Sequence, residues 1–145
     1  MVIKGEPFSK VFRGSNIYFV RKDKIMKTIL VVDDKRVQLK TLRRGLRTKG
    51  YQVIEAISGK EALDHLVKSS NIDIVLTDYA MPEMNGIELL QKIRENNKSI
   101  PVIIMTAYGD KDLVIEAMHH RCNGFIDKPF DMDELLNEIE NIPVK

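Results

Sequence analysis

The sequence is poor in cysteine, contains no tryptophan and lacks long apolar runs. Cys122 is the only cysteine, which excludes an intramolecular disulfide and a cysteine-based zinc site. No apolar stretch approaches the ~20 residues that a membrane-spanning helix needs. Within residues 1–25 the longest apolar stretch is 17–20, shorter than the ~7–15-residue core of a secretion signal. These absences predict a soluble, cytoplasmic protein.

The chain also has little excess charge, with a formal net charge of +2 over 145 residues. So small an excess does not by itself indicate nucleic-acid binding. The basic residues are unevenly placed: residues 1–25 hold six Lys and Arg against two acidic residues, a net charge of +4, which leaves −2 for residues 26–145. The basic character therefore belongs to the N-terminal extension.

Residues 1–25 show no regular hydrophobic period. We interpret them as a basic extension, either a disordered arm or residues added upstream of a natural start at Met26. The length of the whole chain suits one ordinary domain with a real core. The sequence therefore predicts a single domain over residues 26–145.

Strand and helix patterns alternate along this domain. Short apolar, β-branched runs predict strands at 28–32, 51–56, 73–78, 101–106 and 124–128. Between and after them, apolar residues recur at helical spacing: Val37, Leu39, Leu42, Leu46; Ala62, Leu63, Leu66, Val67; Ile87, Leu90, Ile93; Leu113, Val114, Ala117, Met118; Leu135, Leu136, Ile139. Ser58 and Asp131 are predicted helix caps, each with Glu three residues later. Because parallel crossovers are right-handed, five such units predict an α/β, flavodoxin-like, doubly wound parallel sheet of order 2-1-3-4-5, with helices on both faces.

Four of the predicted strands deliver polar side chains to one edge of this sheet. Asp33 and Asp34 follow the first strand, Asp78 ends the third, Thr106 ends the fourth and Lys128 ends the fifth. Because ligands of open α/β sheets bind outside the carboxyl ends of the strands, these side chains are expected to line one cleft.

Three carboxylates in one cleft repel each other, at roughly 4 kcal/mol per contact for charges about 4 Å apart. Either one carboxyl keeps a proton or a hard cation lies among them. An all-oxygen, water-accessible site suits Mg²⁺ or Mn²⁺, together with the oxygens of a phosphoryl group. Asp78, alone on the central strand, is the candidate nucleophile for an aspartyl phosphate.

Taken as a set, these motifs resemble the receiver domain of two-component response regulators, in its stand-alone chemotaxis or sporulation type. The resemblance covers residues 26–142 and depends on four segments, which are 31–34, 78–86, 104–110 and 127–130. It implies that Asp78 takes a phosphoryl group from a phosphohistidine of a sensor histidine kinase or a phosphotransfer protein. It also implies that Asp34, Asp78 and the backbone carbonyl of Ala80 ligate Mg²⁺, with Asp33 acting through a metal-bound water.

The resemblance also implies roles for residues of the fourth and fifth strands. Lys128 would pair with the phosphate, Thr106 would hydrogen-bond it and move, and Phe125 would be the aromatic switch residue. The bond between Lys128 and Pro129 would be a cis peptide. The fourth helix, fifth strand and fifth helix would contact a downstream protein, in a monomer or weak dimer that neither binds nucleic acid nor inserts into a membrane.

Two positions are expected to modulate the lifetime of the phosphoryl group. Ala80, two residues after Asp78, has no polar side chain, and Tyr108, two residues after Thr106, is bulky. We hypothesise that Tyr108 partly screens the site, so that the phosphoryl group is comparatively long-lived.

A receiver is expected to turn over no separate substrate. Two other functions remain as alternatives to it. A phosphatase or phosphotransferase with an aspartate nucleophile after the first strand usually has a second Asp two residues on, where this chain has Lys35 and Arg36. A docking module that needs no phosphorylation would tolerate an incomplete site, and here every expected residue is present.

Overall fold

The structure is a computed structural model that describes residues 8–21, 27–96, 98–107 and 110–142. In these ranges no helix combines the length and apolarity required to cross a membrane. The strands are β1 (Phe8–Arg13), β2 (Asn16–Arg21), β3 (Thr28–Val32), β4 (Gln52–Ala56), β5 (Ile74–Asp78), β6 (Val102–Ala107) and β7 (Gly124–Lys128). The helices are α1 (Arg36–Thr48), α2 (Gly59–Lys68), α3 (Gly86–Glu95), α4 (Lys111–His119) and α5 (Met132–Glu140).

Strands β3 to β7, in the body of the chain that follows the extension, form one parallel sheet. Its order is β4-β3-β5-β6-β7, and each neighbouring pair is parallel. Counted from β3, this is the order 2-1-3-4-5, which confirms the predicted topology. The central strands β3 and β5 are buried at every position, as a sheet covered on both faces requires.

Two hydrophobic clusters fill the two faces of this sheet. One contains Leu39, Leu42 and Leu46 of α1 with Leu135 and Ile139 of α5. The other joins alternate residues of the same strands to the apolar sides of α2, α3 and α4. Alternation of side chains along β3 and β5 divides the core in this way, and it leaves the ends of the strands free to form the site.

Three residues of the predicted apolar stripes were wrongly assigned to the core. Val37 and Val67 are each 80% exposed and Met118 is 69% exposed. Val37 lies in the first turn of α1, because the helix begins at Arg36 and its buried positions start at Leu39. The strand boundaries were also displaced by one residue in β4, β5 and β6, where pairing begins one residue later than predicted.

The helix starts follow the capping signals of the sequence. The Ser58 side chain accepts a hydrogen bond from the N–H of Glu61 at 3.1 Å, and Asp131 accepts one from the N–H of Glu134 at 2.8 Å, which confirms both predicted caps. A third cap, Asn85, forms a full capping box with Glu88 at the start of α3. This capping box fixes the end of the loop that follows β5 and Asp78.

Residues 8–21 of the extension form a two-stranded hairpin, which the sequence did not predict. Strands β1 and β2 pair antiparallel through a turn that contains Gly14 at φ 60°, a left-handed conformation that glycine adopts without strain. The period-2 pattern was obscured because Lys10 stands between Phe8 and Phe12, and Val11 is apolar on the opposite side. The remainder of the extension lies outside the described residues.

Candidate functional site

The carboxyl ends of β3, β5, β6 and β7 meet at one edge of the sheet. Asp78 ends β5, where it pairs with Met105 of β6, so Thr106 lies one residue beyond it. Thr106 in turn pairs with Asp127 of β7, next to Lys128. The register therefore brings together the residues that the sequence predicted for one cleft.

Three carboxylates converge at this edge. One carboxylate oxygen from each of Asp33, Asp34 and Asp78 lies within 4.8 Å of the others. Asp33 is completely buried and Asp78 is 3% exposed, whereas Asp34 is partly exposed. The cluster is thus shielded from water on the strand side and open on the side of Asp34.

Lys128 supplies the positive charge of the site. Its Nζ donates a hydrogen bond to Asp78 Oδ1 at 2.8 Å and lies 3.9 Å from Asp33 Oδ2. The side chain is largely buried, so this ion pair is weakly screened by solvent. One ammonium group faces three carboxylates, and the site carries an excess of negative charge.

The charge on Asp33 is disfavoured by its surroundings. Burial raises the pKa of its carboxyl above the ordinary value, and the neighbouring Asp78 and Asp34 charges act in the same direction. The backbone N–H of Lys35, which donates to Asp33 Oδ1 at 2.9 Å, and the Lys128 ammonium partly oppose this rise. Additional positive charge in the cluster would therefore stabilise its ionised form.

The donor set of this cluster fits a hard divalent cation. Asp33 Oδ2 and Asp34 Oδ1 are buried and accept no hydrogen bond within the described part of the chain. Buried carboxylate oxygens without a donor are costly unless a cation or water satisfies them. The three oxygens close to one another and the absence of Cys or His from this described cluster fit Mg²⁺ or Mn²⁺.

The loop after β5 is held against the end of that strand. The N–H of Gly86 donates to the carbonyl of Tyr79 at 2.8 Å, and Tyr79 N–H donates to the carbonyl of Met105 at 2.8 Å. A Cβ atom on Gly86 would lie 2.6 Å from the carbonyl oxygen of Asp78. Only glycine allows α3 to begin this close to the strand end without displacing its neighbours.

Thr106 and Phe125 lie on the α4 side of the site. Thr106 is 4% exposed. Phe125 is half-buried and packs against the cluster under α2, α3 and α4. It pairs with Ile104, two residues before Thr106, so both predicted switch residues belong to the adjoining strands β6 and β7.

Three further predicted positions are Pro129, Ala80 and Tyr108. The Lys128–Pro129 peptide bond is cis, as predicted. Ala80 is exposed in the loop after β5. Tyr108, the predicted screening residue, lies outside the described residues.

Two contacts of the site were missed by sequence reasoning. The backbone N–H of Lys35 holds Asp33, and no residue-type signal marks a main-chain donor. The close approach of Gly86 to Asp78 was also missed, although a glycine directly after the Asn85 cap is a signal that could have found it.

Proteins of a known family resemble this chain over most of its length. The sequence model of the response regulator receiver domain family matches residues 29–140 of this chain. A chemotaxis protein CheY homolog of Campylobacter jejuni is 38% identical over 117 residues, which are 79% of this chain and 90% of that protein. The sporulation initiation phosphotransferase F of Bacillus subtilis is 37% identical over 118 residues, which are 81% and 94%.

Solved structures share the fold of this chain. The CheX–CheY–BeF3–Mg²⁺ complex from Borrelia burgdorferi matches with a TM-score of 0.77 and 34% identity, over 83% of this chain and 92% of the matched chain. A response regulator receiver domain protein from Clostridium thermocellum matches with a TM-score of 0.77 and 32% identity, over 81% and 94%.

Proposed function

Because the chain belongs to the response regulator receiver domain family and acts in two-component signal transduction, we propose that Asp78 is its phosphoacceptor. The observation that carries this proposal is the ion pair of Lys128 with Asp78 inside a cluster of three carboxylates. An oxygen of Asp78 attacks the phosphorus of a phosphohistidine, the P–N bond breaks, and the imidazole leaves. The product is an aspartyl phosphate.

Asp33, Asp34, Asp78 and the backbone carbonyl of Ala80 would hold Mg²⁺ or Mn²⁺. The two buried oxygens of Asp33 and Asp34 that accept no hydrogen bond support this assignment. When bound, the cation supplies positive charge that offsets the charge of the carboxylates and of the incoming phosphoryl oxygens.

Lys128 orients the acceptor before transfer and neutralises charge after it. Its ammonium holds Asp78 Oδ1, which leaves the other carboxylate oxygen for the attack. After transfer the same ammonium is positioned to pair with the phosphate. Asp33, held by the Lys35 N–H, keeps the carboxylate cluster in place.

Thr106 and Phe125 transmit the modification to a protein-binding surface. Their placement on adjoining strands beside α4 supports this role. The Thr106 hydroxyl would bond the new phosphoryl group, and Phe125 would turn inward as Thr106 moves. The surface formed by α4, β7 and α5 would then bind the downstream protein.

The donor would be a sensor histidine kinase or a phosphotransfer protein. Relatives of this chain act in chemotaxis and sporulation, which are signalling roles, and we propose that the chain likewise turns over no separate substrate. A cytoplasmic location and a monomeric or weakly dimeric state stay predictions.

Ala80 and Tyr108 would set how fast water removes the phosphoryl group. Ala80 offers no polar side chain to activate a water, and a bulky Tyr108 would exclude one. Loss of label from the phosphorylated protein measures this. An unchanged rate in Tyr108→Ala would contradict the screening role.

The central test is phosphorylation by acetyl phosphate and Mg²⁺, followed by intact-mass spectrometry. The wild type is expected to gain one phosphate, and Asp78→Asn and the metal-free protein none. Steady hydrolysis of free phosphate esters would favour an aspartate-nucleophile phosphatase instead. A wild type that gains no phosphate from acetyl phosphate or any of a panel of histidine kinases would favour a docking module.

A further inference from the structure

The hairpin of β1 and β2 lies outside residues 29–140, which match the receiver family. Its register pairs Lys10 with Phe19 and Phe12 with Ile17. Cross-strand partners and alternate residues of a strand share a face. Phe8, Lys10, Phe12, Ile17 and Phe19 therefore form one surface, which we name the phenylalanine face.

Apart from Lys10, the phenylalanine face is apolar, and it is largely open to solvent. The exposed fractions are 44% for Phe8, 64% for Phe12, 50% for Ile17 and 72% for Phe19. The sheet that carries them has only two strands among the described residues. Two-stranded hairpins are marginally stable in water, so an apolar layer placed over this face would stabilise the hairpin.

The charges of the hairpin are all positive. Residues 8–21 contain Lys10, Arg13 and Arg21 and no acidic residue. Lys10 lies within the phenylalanine face, with its Nζ 5.5 Å from the centre of the Phe12 ring. A lysine in this position can leave its carbon chain among apolar groups and extend its ammonium to an anion.

We propose that the phenylalanine face binds the surface of a membrane that contains anionic phospholipids. The phenyl rings and Ile17 enter the apolar boundary, and Lys10 contacts the phosphate headgroups. Single-stranded nucleic acid also binds aromatic and basic residues, but an aliphatic side chain such as Ile17 does not stack on bases. A lipid surface accepts all four apolar side chains.

The test is sedimentation of the full chain with vesicles of phosphatidylcholine, with or without phosphatidylglycerol. Binding to the anionic vesicles is expected to be about tenfold tighter or more, and to weaken as salt is raised. Phe12→Ser combined with Phe19→Ser is expected to reduce it by about tenfold or more. Lys10→Glu, which keeps every apolar side chain, is expected to reduce it by a similar factor.

Two variants serve as matched controls. Tyr18→Ser removes a 48%-exposed aromatic side chain from the opposite face of the hairpin. Arg44→Glu with Arg47→Glu reverses two exposed charges on α1 instead of on the hairpin. Both are expected to leave vesicle binding within about twofold of the wild type, because neither touches the phenylalanine face. Thermal unfolding of each variant checks that the body remains folded.

Three results would overturn the proposal. The first is no binding, or equal binding with and without phosphatidylglycerol. The second is a loss in either control as large as that in Phe12→Ser with Phe19→Ser. The third is tighter binding to an oligothymidylate strand than to the anionic vesicles, which would assign the face to single-stranded nucleic acid.

Discussion

Burial gives single residues of the site their properties. Asp33 is fully buried, is held by one main-chain N–H, and lies beside two other carboxylates. Its raised pKa follows first from loss of solvent and then from its neighbours. An aspartate on an exposed helix would lack both the burial and the neighbouring carboxylates that raise the pKa of Asp33. The position of Asp33 after β3 therefore determines its chemistry.

Gly86→Ala is expected to destabilise the protein by about 1–3 kcal/mol and to slow phosphorylation. The added Cβ would lie 2.6 Å from the Asp78 carbonyl oxygen and 3.0 Å from Tyr79 Cα, and both are backbone atoms of the acceptor segment. Urea unfolding and acetyl phosphate labelling measure the two effects.

Gly45→Ala is the matched control, because its Cβ would meet only the flexible end of Met132. It is expected to leave labelling unchanged. Equal labelling rates in the two glycine variants would show that the start of α3 does not position Asp78.

The Cys122 thiol is expected to resist alkylation in the folded protein. Burial raises its pKa above the usual value, and the thiol donates to the carbonyl of Gly124 at 2.8 Å, which a thiolate cannot do. Its contribution to stability is therefore full below the pKa of the unfolded thiol and is lost as pH rises through the folded pKa.

Iodoacetamide labelling with and without urea, and urea unfolding across the alkaline range, measure this. Cys122→Ala is the control and is expected to remove that part of the alkaline loss of stability. A thiol that reacts equally fast in the folded and unfolded protein would contradict the prediction.

The residue types at the strand ends were predictable because chemistry selects them. Asp78 and Thr106 each follow a recognisable apolar run, and Lys128 ends the short strand β7. The contacts made by main-chain atoms were not predictable, since every residue except proline carries the same N–H and C=O groups. For this reason the hydrogen bond from the Lys35 N–H to Asp33 was found only in three dimensions, whereas the Asn85 cap gave a signal for the close approach of Gly86.

At the scale of elements, one arginine joins three segments at the end of the sheet opposite the site. Arg94 of α3 donates to the carbonyls of Lys98 and Ile100 at 2.9 and 2.7 Å. It also donates to the carbonyl of Arg121 at 2.9 Å and to Asn123 Oδ1 at 2.8 Å. These bonds tie the end of α3 to the segment before β6 and to the segment between α4 and β7.

Arg94→Lys is expected to lower the free energy of unfolding by about 1–3 kcal/mol. Lysine keeps the charge but cannot donate from two nitrogen atoms in one plane. Chemical denaturation measures the change. Lys92→Ala, an exposed change on the same helix, is expected to stay within about 0.5 kcal/mol, and similar losses in both variants would contradict the role of the Arg94 contacts.

Helix faces were predicted well in the middle of each helix and poorly at the ends. Leu39, Leu42 and Leu46 are buried as expected, whereas Val37 and Val67 are exposed. A periodic pattern does not show where the helix leaves the sheet, and in the first or last turn an apolar residue can point to solvent. The hairpin of β1 and β2 was missed because its hydrophobic pattern is also irregular, since Lys10 interrupts the apolar face.

At the scale of the whole molecule, the carboxylate cluster is expected to link the free energy of unfolding to the binding of Mg²⁺. Asp34→Asn is expected to stabilise the metal-free protein by about 1 kcal/mol, because it removes one of three mutually repelling charges. Mg²⁺ is expected to raise the melting temperature of the wild type, and Asp34→Asn is expected to abolish this rise.

Thermal unfolding in EDTA and in excess Mg²⁺ measures both effects. Asp64→Asn, which changes an exposed acidic residue of α2, is the control and should respond to Mg²⁺ as the wild type does. If Mg²⁺ stabilises Asp34→Asn as much as the wild type, the cation does not bind at this cluster.

The arrangement of the whole sheet followed from the sequence, because five strand–helix units allow few right-handed arrangements. Strand order 2-1-3-4-5 is observed in β4-β3-β5-β6-β7. The hairpin of the extension did not follow, since its apolar surface arises from the pairing of two strands and not from a residue type. The phenylalanine face is visible only once β1 and β2 are paired.

The ion pair between Lys128 and Asp78 spans 50 positions of the chain. While a ribosome has synthesised only β3 to β6, the chain carries Asp78 but not Lys128. The Asp78 carboxylate then stays without this ammonium partner until β7 is made and pairs with β6. The charge balance of the carboxylate cluster is therefore set late in synthesis, by a strand at the edge of the sheet.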